Sequence, residues 1–195
     1  MAYPSGMVTQ NTVISFEQLV QDFDSLFRHR VFRLETLDWY NAANEREPYA
    51  RFLAGEPADP AWREPWKRLV RDVRESGRTM ERVHIVSEPA SDYIRFELLH
   101  VYPANVEAGE DVRVLGQKTA NDLWLGAYDY WLFDDDLAAM LVYDGFGRVL
   151  RVELDRTQAT IEWLRSERDE ALGLATPLAL YVAEHNITNE RTRAA

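Results

Sequence analysis

Charged side chains gather around one short stretch of the chain. Glu88, Asp92, Arg95 and Glu97 surround a turn and the start of a helix, with Arg82 and Tyr93 close by in sequence. An arginine in such a group can grip a carboxylate or phosphate through two parallel N–H donors. A carboxylate there could act as a base if its surroundings raised its pKa. The plainer account is favoured: Asp92 caps the helix and pairs with Arg95 on one helix face, a pair that contributes roughly 0–1 kcal/mol if exposed. Arg33 and Glu35 share one face of a short strand, with Tyr40 following. They are placed to meet Arg82 or Glu97 in a buried network that ties the layers together, since buried charges are rarely left unpaired. The candidate ligand-binding residues are therefore Arg82, Glu88, Tyr93, Arg95 and Glu97, with no catalytic set among them.

Three other groups carry side chains capable of binding or chemistry. Arg63, Lys67, Arg71, Arg74 and Arg78 fall at helical spacing opposite Trp62 and Trp66 and form the best candidate surface for a protein partner. Flanking Glu64, Asp72 and Glu75 dilute that stripe, and a solvated face is favoured. Asp134, Asp135 and Asp136 lack the separated oxygens of a calcium loop and read as a solvated turn. His29, His84, His100 and His185 are scattered with no zinc spacing. His84 alternates with Val83 and Ile85 and is expected to point off the core. Nucleophile elbows, the P-loop and the dinucleotide fingerprint are missing, so no metal or cofactor is expected.

The elements that position these residues follow from periodicity. Ser15 and Gln18 form a capping pattern ahead of an apolar stripe at Phe16, Leu19, Val20, Phe23, Leu26 and Phe27. Val31 to Thr36 alternates as a strand. A short helix covers Glu45 to Leu53. Asp59-Pro60 opens a helix over Ala61 to Ser76, with Pro65 delaying or bending its start. Val83 to Val86 is a core strand, and a helix runs from Ser91 or Asp92 to about His100. A loop bounded by Pro103 and Gly109 leads to the strand Val112 to Leu115. Three strands follow, with Asp144-Gly145-Phe146-Gly147 turning the last pair. A helix to about Leu172 restarts at Pro177. The order predicts an α+β or α/β fold: a mixed, largely antiparallel sheet of about five strands, a helical N-terminal third and a C-terminal helix. One domain is expected: a flexible arm at 1–14, helices packed on the sheet at 15–78, an α/β core at 79–185 and a flexible tail at 186–195.

The bulk composition agrees. The 195 residues contain 46% hydrophobic residues, enough for a core, and no Cys, which removes disulfides and thiolate chemistry and fits a reducing cytoplasm. A net charge of −11 repels phosphate and argues against direct nucleic-acid binding. No apolar run is long enough to span a bilayer, and MAYPSGMVTQNT gives no secretion signal.

Several segments resemble an uncharacterised actinobacterial family, a domain of unknown function. They are Phe32-Arg33-Leu34-Glu35, 51–57, Arg82-Val83, Val86-Ser87-Glu88-Pro89, Asp92-Tyr93, Arg95-Phe96-Glu97, 108–113 and 130–135. The resemblance covers roughly residues 16 to 175. It implies a gene setting beside helix-turn-helix regulators of the kind linked to Streptomyces development. The order from Arg82 to Leu172 also looks like half of a phospholipase-D-like domain. That superfamily needs His-x-Lys, whereas here Val31, Val86, Tyr102 and Ile187 stand two after each His. The expectation is a cytoplasmic, non-catalytic interaction module that partners a helix-turn-helix regulator. The alternative is a small-molecule-sensing or degenerate-enzyme domain with a polar pocket around Arg82, Tyr93, Arg95 and Glu97.

Overall fold

The computed structural model describes residues 12–57 and 59–189. β1 (Thr12–Ile14) leads into α1 (Phe16–Asp22), where Ser15 Oγ accepts the Gln18 N–H at 3.1 Å as the expected N-cap. β2 (Arg30–Glu35) is followed by α2 (Arg46–Ala54). Asp59 Oδ1 accepts the Ala61 N–H at 2.9 Å and opens a 3-10 turn, Pro60–Arg63. α3 (Glu64–Glu75) starts late because Pro65 takes its first turn, where a missing N–H breaks no bond.

β3 (Thr79–Val86) leads to α4 (Asp92–Phe96), capped by Ser91, whose Oγ accepts the Ile94 N–H at 3.2 Å. The loop expected from Pro103 is instead helical. A π-helical turn, Glu97–Val101, joins α4 to α5 (Tyr102–Ala108). Proline has no N–H for the carbonyl four residues back, and its ring crowds that carbonyl. The wider π turn just ahead of Pro103 lets the helix pass it unbroken. The chain continues as β4 (Asp111–Gly116), α6 (Gln117–Asp122), β5 (Asp129–Phe133), β6 (Leu137–Tyr143), β7 (Val149–Asp155), α7 (Gln158–Leu174), β8 (Thr176–Pro177) and α8 (Leu178–Glu184).

The described strands form one eight-stranded sheet, ordered β1-β7-β6-β5-β2-β3-β4-β8. Only β2–β3 and β3–β4 are parallel; the other adjacent pairs are antiparallel. The α+β class with a mixed, largely antiparallel sheet stands, but the expected five strands are too few. Two of the additional strands are edge pieces of two or three residues, too short to show alternation. Thr12–Ile14 falls within the expected arm yet pairs with β7, and Thr176–Pro177 pairs with β4. Residues 1–11 of that arm and 190–195 of the expected tail lie outside the described residues, while Ile187 packs against the core. No described helix is long and apolar enough to cross a membrane.

Both faces of the sheet are covered, so its central strands are buried throughout and lose the half-exposed alternation. On one face Phe32, Leu34, Val83, Ile85 and Tyr130 pack with Ile161, Leu164 and Ala171 of α7. The other face carries two apolar clusters. Val31, Met80 and Phe133 lie with Leu19 and Phe23 near α1 and Val70 and Val73 of α3, whereas Val86, Val112 and Val114 lie with Ile94, Phe96 and Tyr102. Between those clusters runs a strip of buried charge.

Candidate functional site

Register builds the strip. Side chains two apart on a strand share a face, and Arg33 pairs across β2–β3 with Arg82 while Glu35 pairs with His84. These four residues therefore stand together on the same side of the sheet. Arg33 Nη2 reaches Glu35 Oε1 at 2.8 Å, and Arg82 Nη1 reaches Glu35 Oε2 at 2.7 Å. Arg82 Nε donates to Glu110 Oε1 at 2.7 Å, and Trp66 Nε1 donates to the other oxygen of Glu110 at 3.2 Å. Aromatic faces cover the guanidinium groups: Trp131 lies 4.9 Å from Arg33 and Tyr102 5.2 Å from Arg82. His84, expected off the core, has no exposed surface, because the face opposite Val83 and Ile85 is itself roofed by helices. Its Nε2 donates to the Leu37 carbonyl at 3.0 Å. Tyr102 Oη lies 2.7 Å from His84 Nδ1 and 2.9 Å from Glu35 Oε2, so one hydroxyl proton serves two acceptors.

The roof is shaped by the π turn. Glu97, its first residue, points toward the strip and is 3% exposed. Its Oε2 lies 3.4 Å from His84 Nδ1 and has no hydrogen-bond partner. One turn earlier, Tyr93 Oη donates to Glu45 Oε2 at 2.5 Å. From α3's leading turn, Arg63 donates to Asn105 Oδ1 and lies 5.0 Å from the Trp62 ring, 8% exposed. The Nε atoms of Arg33 and Arg63 are buried without partners.

The loop after β2 forms the mouth. Tyr40 Oη donates to Asp129 Oδ2 at 2.5 Å and accepts from the Thr36 N–H at 3.1 Å, which pins the loop's start. Farther along, the Asn41 N–H donates to the Gly147 carbonyl at 3.0 Å. Gly147 is required there: its φ is 75°, and a Cβ would come within 2.6 Å of the Trp39 carbonyl oxygen. These walls enclose a cavity of about 510 Å³. Arg33, Glu35 and Arg82 line its floor, Arg63, Tyr93 and Glu97 its roof, and Phe16, Val20, Tyr143 and Val149 one side.

Electrostatics separates the carboxyl groups. Burial pushes Glu35 up, but the charges of Arg33 and Arg82 outweigh it and hold Glu35 well below the usual carboxylate range. Glu97 has burial and then the charges of Glu35 and Glu45 acting together, so its pKa stands well above the ordinary value. Burial raises Glu45 too, partly offset by the Tyr93 hydrogen bond. His84 is lowered by burial, against the pull of Glu35, and Arg63 is lowered by burial and by Arg82. The pocket thus sets cations beside one carboxyl whose pKa is held low and two whose pKa values are pushed up. Among the described residues no Ser, Thr, Cys or Lys lines it, and no three His, Asp or Glu side chains converge to hold a metal.

Of the predicted ligand residues, Arg82, Tyr93 and Glu97 line the cavity. Arg95 does not: it donates to the Thr188 carbonyl. Glu88 stands apart, accepting from Tyr181 Oη at 3.0 Å with His185 Nε2 at 3.1 Å. Arg33 meets Glu35 and, through it, Arg82, as their alternation suggests. Sequence reasoning missed Glu45, Trp66 and Tyr143, which have no local pattern, and placed Arg63 on the basic stripe. That stripe is largely spoken for: Lys67 pairs with Glu64 and Glu107, Arg71 with Glu64 and Arg78 with Asp24. Asp134 accepts the backbone N–H groups of Arg28, His29 and Arg30, and Asp135 pairs with Arg168, so the acidic run is a structural turn.

A family model described as a domain of unknown function, DUF6879, matches residues 16–183. The chain belongs to that family. No curated protein matches it. Every described residue that lines the cavity of this DUF6879 domain, from Phe16 to Val149, falls inside the matched span.

Proposed function

We propose that this DUF6879 domain is a non-catalytic module that binds a small molecule in the cavity between β2, β3 and their helical roof. One observation carries the reading: Glu97 Oε2 and the Nε atoms of Arg33 and Arg63 are buried, lack hydrogen-bond partners, and belong to side chains that line one open cavity. Buried polar atoms are nearly always satisfied, and each exception asks for a reason. A bound molecule is such a reason. The cavity falls within the usual size range of ligand sites, about 300–1,000 Å³, with apolar walls and a few convergent polar groups. The π turn that aims Glu97 inward supports the reading, since such turns favour functional positions. In the gene setting that the resemblance implies, ligand occupancy would be passed to a helix-turn-helix regulator, the accessory-partner role expected from the sequence.

A fragment screen by ligand-observed NMR and thermal shift tests the proposal. Binders to the native state raise the melting temperature by mass action. Ala42 lines the cavity from the loop after β2, and the variant Ala42→Trp is expected to keep the wild-type circular dichroism and lose those binders. Finding no fragment that binds wild type and is lost in Ala42→Trp would refute the reading.

A further inference from the structure

We infer that the molecule taken up is an organic monoanion, a carboxylate on an apolar body, held between Arg63 and the carboxyl of Glu97. The inference rests on the small-molecule reading above and assigns its ligand class.

The charges in the strip do not balance evenly. Arg33 is paired with Glu35, and Arg82 with both Glu35 and Glu110. Arg63, one of the two remaining arginines of the lining with Arg148, has an amide, Asn105, as its side-chain partner and makes no ion pair with any described residue. Glu45 and Glu110 act on it only through space, so a guanidinium this buried is left to gain a direct partner from an anion arriving from outside. On the same roof stands Glu97, whose Oε2 has no hydrogen-bond partner and lies 3.4 Å from His84 Nδ1. The groups facing it are Arg33 and Glu35 from β2, Arg82 and His84 from β3, Glu45 from the mouth loop, Arg63 ahead of α3, and Tyr93 and Tyr102 from its own helix. Burial among them favours the protonated carboxyl. A protonated carboxyl offers an O–H donor that needs an acceptor. One carboxylate answers both needs, with one oxygen toward Arg63 and the other toward Glu97.

The rest of the cavity excludes other classes. A phosphate dianion would bring a second negative charge into a cavity that already holds ionised Glu35, and with Arg33 and Arg82 committed the further arginine of the lining, Arg148, stands just before β7 at the mouth. An amine would find Glu35 already held by two arginines. The side wall of Phe16, Val20 and Val149, with the rings of Trp66 and Tyr143, suits an aliphatic or aromatic body.

The test uses the full chain and matched trios on phenyl, cyclohexyl and indolyl skeletons, for example phenylpropionate, phenylpropionamide and phenylpropylamine, measured by ligand-observed NMR and calorimetry. Carboxylates are expected to bind, amides to bind roughly tenfold more weakly or worse because one charge-assisted contact is lost, and amines not at all. Arg63→Met should remove the preference for carboxylates. Glu97→Gln keeps a donor that cannot ionise, so binding should persist. Wild-type affinity should fall as pH rises, because ionised Glu97 repels the anion, whereas Glu97→Gln should be flatter. If Arg63→Met fails to fold, the Glu97→Gln profile decides. Amides or amines that match the acids, or an unaltered preference in Arg63→Met, would overturn the class while leaving the pocket reading in place. The class also falls if other fragments bind and no trio acid does. Should no fragment of any kind be lost in Ala42→Trp, the underlying pocket reading falls with it.

Discussion

Replacing Glu35 with glutamine is the sharpest probe of the buried strip. Glu35 is 1% exposed, and its two oxygens are held at 2.8 Å by Arg33 and 2.7 Å by Arg82. The amide keeps the shape but removes the charge, leaving Arg33 without its paired carboxylate and Arg82 with Glu110 alone. Breaking a buried pair in this way destabilises by about 3–5 kcal/mol, because the orphaned charge keeps its desolvation penalty. Each kcal/mol lowers the melting temperature by about 2–4 °C in a chain of this size, so a fall of about 6–20 °C is expected. Thermal unfolding followed by circular dichroism, with urea titration at one temperature, measures it. The exposed pair Lys118–Asp122 at 3.4 Å is the control, and Asp122→Asn should leave the melting temperature unchanged. The pH dependence supplies a second check. Glu35 has a depressed folded pKa, so its contribution is present above the ordinary carboxylate pKa and lost as pH falls through the folded value. The gap between wild type and Glu35→Gln should therefore narrow only in strong acid. A fall of less than about 2 °C would refute the view that this carboxylate holds the strip together.

Glu97 should behave in the opposite sense. Its folded pKa is raised, so the folded state loses relative stability as pH rises from the ordinary carboxylate pKa toward the folded value, and Glu97→Gln should be at least as stable as wild type at neutral pH by urea titration. Asp134→Ala removes the acceptor of three backbone N–H groups and should cost about 1–3 kcal/mol in the same assay. Gly147→Ala forces a Cβ into the left-handed region against the Trp39 carbonyl; it should destabilise by more than about 1 kcal/mol and weaken carboxylate binding by moving the mouth loop.

Local signals in the sequence were reliable where a physical rule acts over a few residues. Ser15 caps α1, Asp59 opens the turn before α3, and the Asp144 to Gly147 segment turns β6 into β7. Long-range facts were harder to read. His84 reads as pointing off the core because alternation with Val83 and Ile85 implies one wet face, and nothing local reveals that helices roof both sides. Pro103 looked like a helix stop, since the π turn that accommodates it depends on how 92–108 packs over the sheet. The edge strands β1 and β8 exist through their neighbours and carry no pattern of their own. Half of the site was visible for the same reason: Arg33, Glu35 and Arg82 lie on strands whose periodicity fixes their face. Arg63, Glu45 and Tyr143 come from three separate elements and meet only in the folded chain.

The strip also distinguishes two uses of buried charge. Groups that serve only to hold layers together gain by closing every hydrogen bond, since each open one costs the full desolvation of the atom. Glu35, Arg82, Glu110 and Tyr102 follow that rule, and every oxygen of the two carboxylates has a donor. Glu97 and Arg63 break it within the same cavity, one with an unbonded oxygen and the other with an unbonded Nε. An apolar residue at either position would fill the space without that penalty. The closed half of the strip therefore explains how the sheet and its roof stay joined. The open half is explained by a third party whose hydrogen bonds complete it.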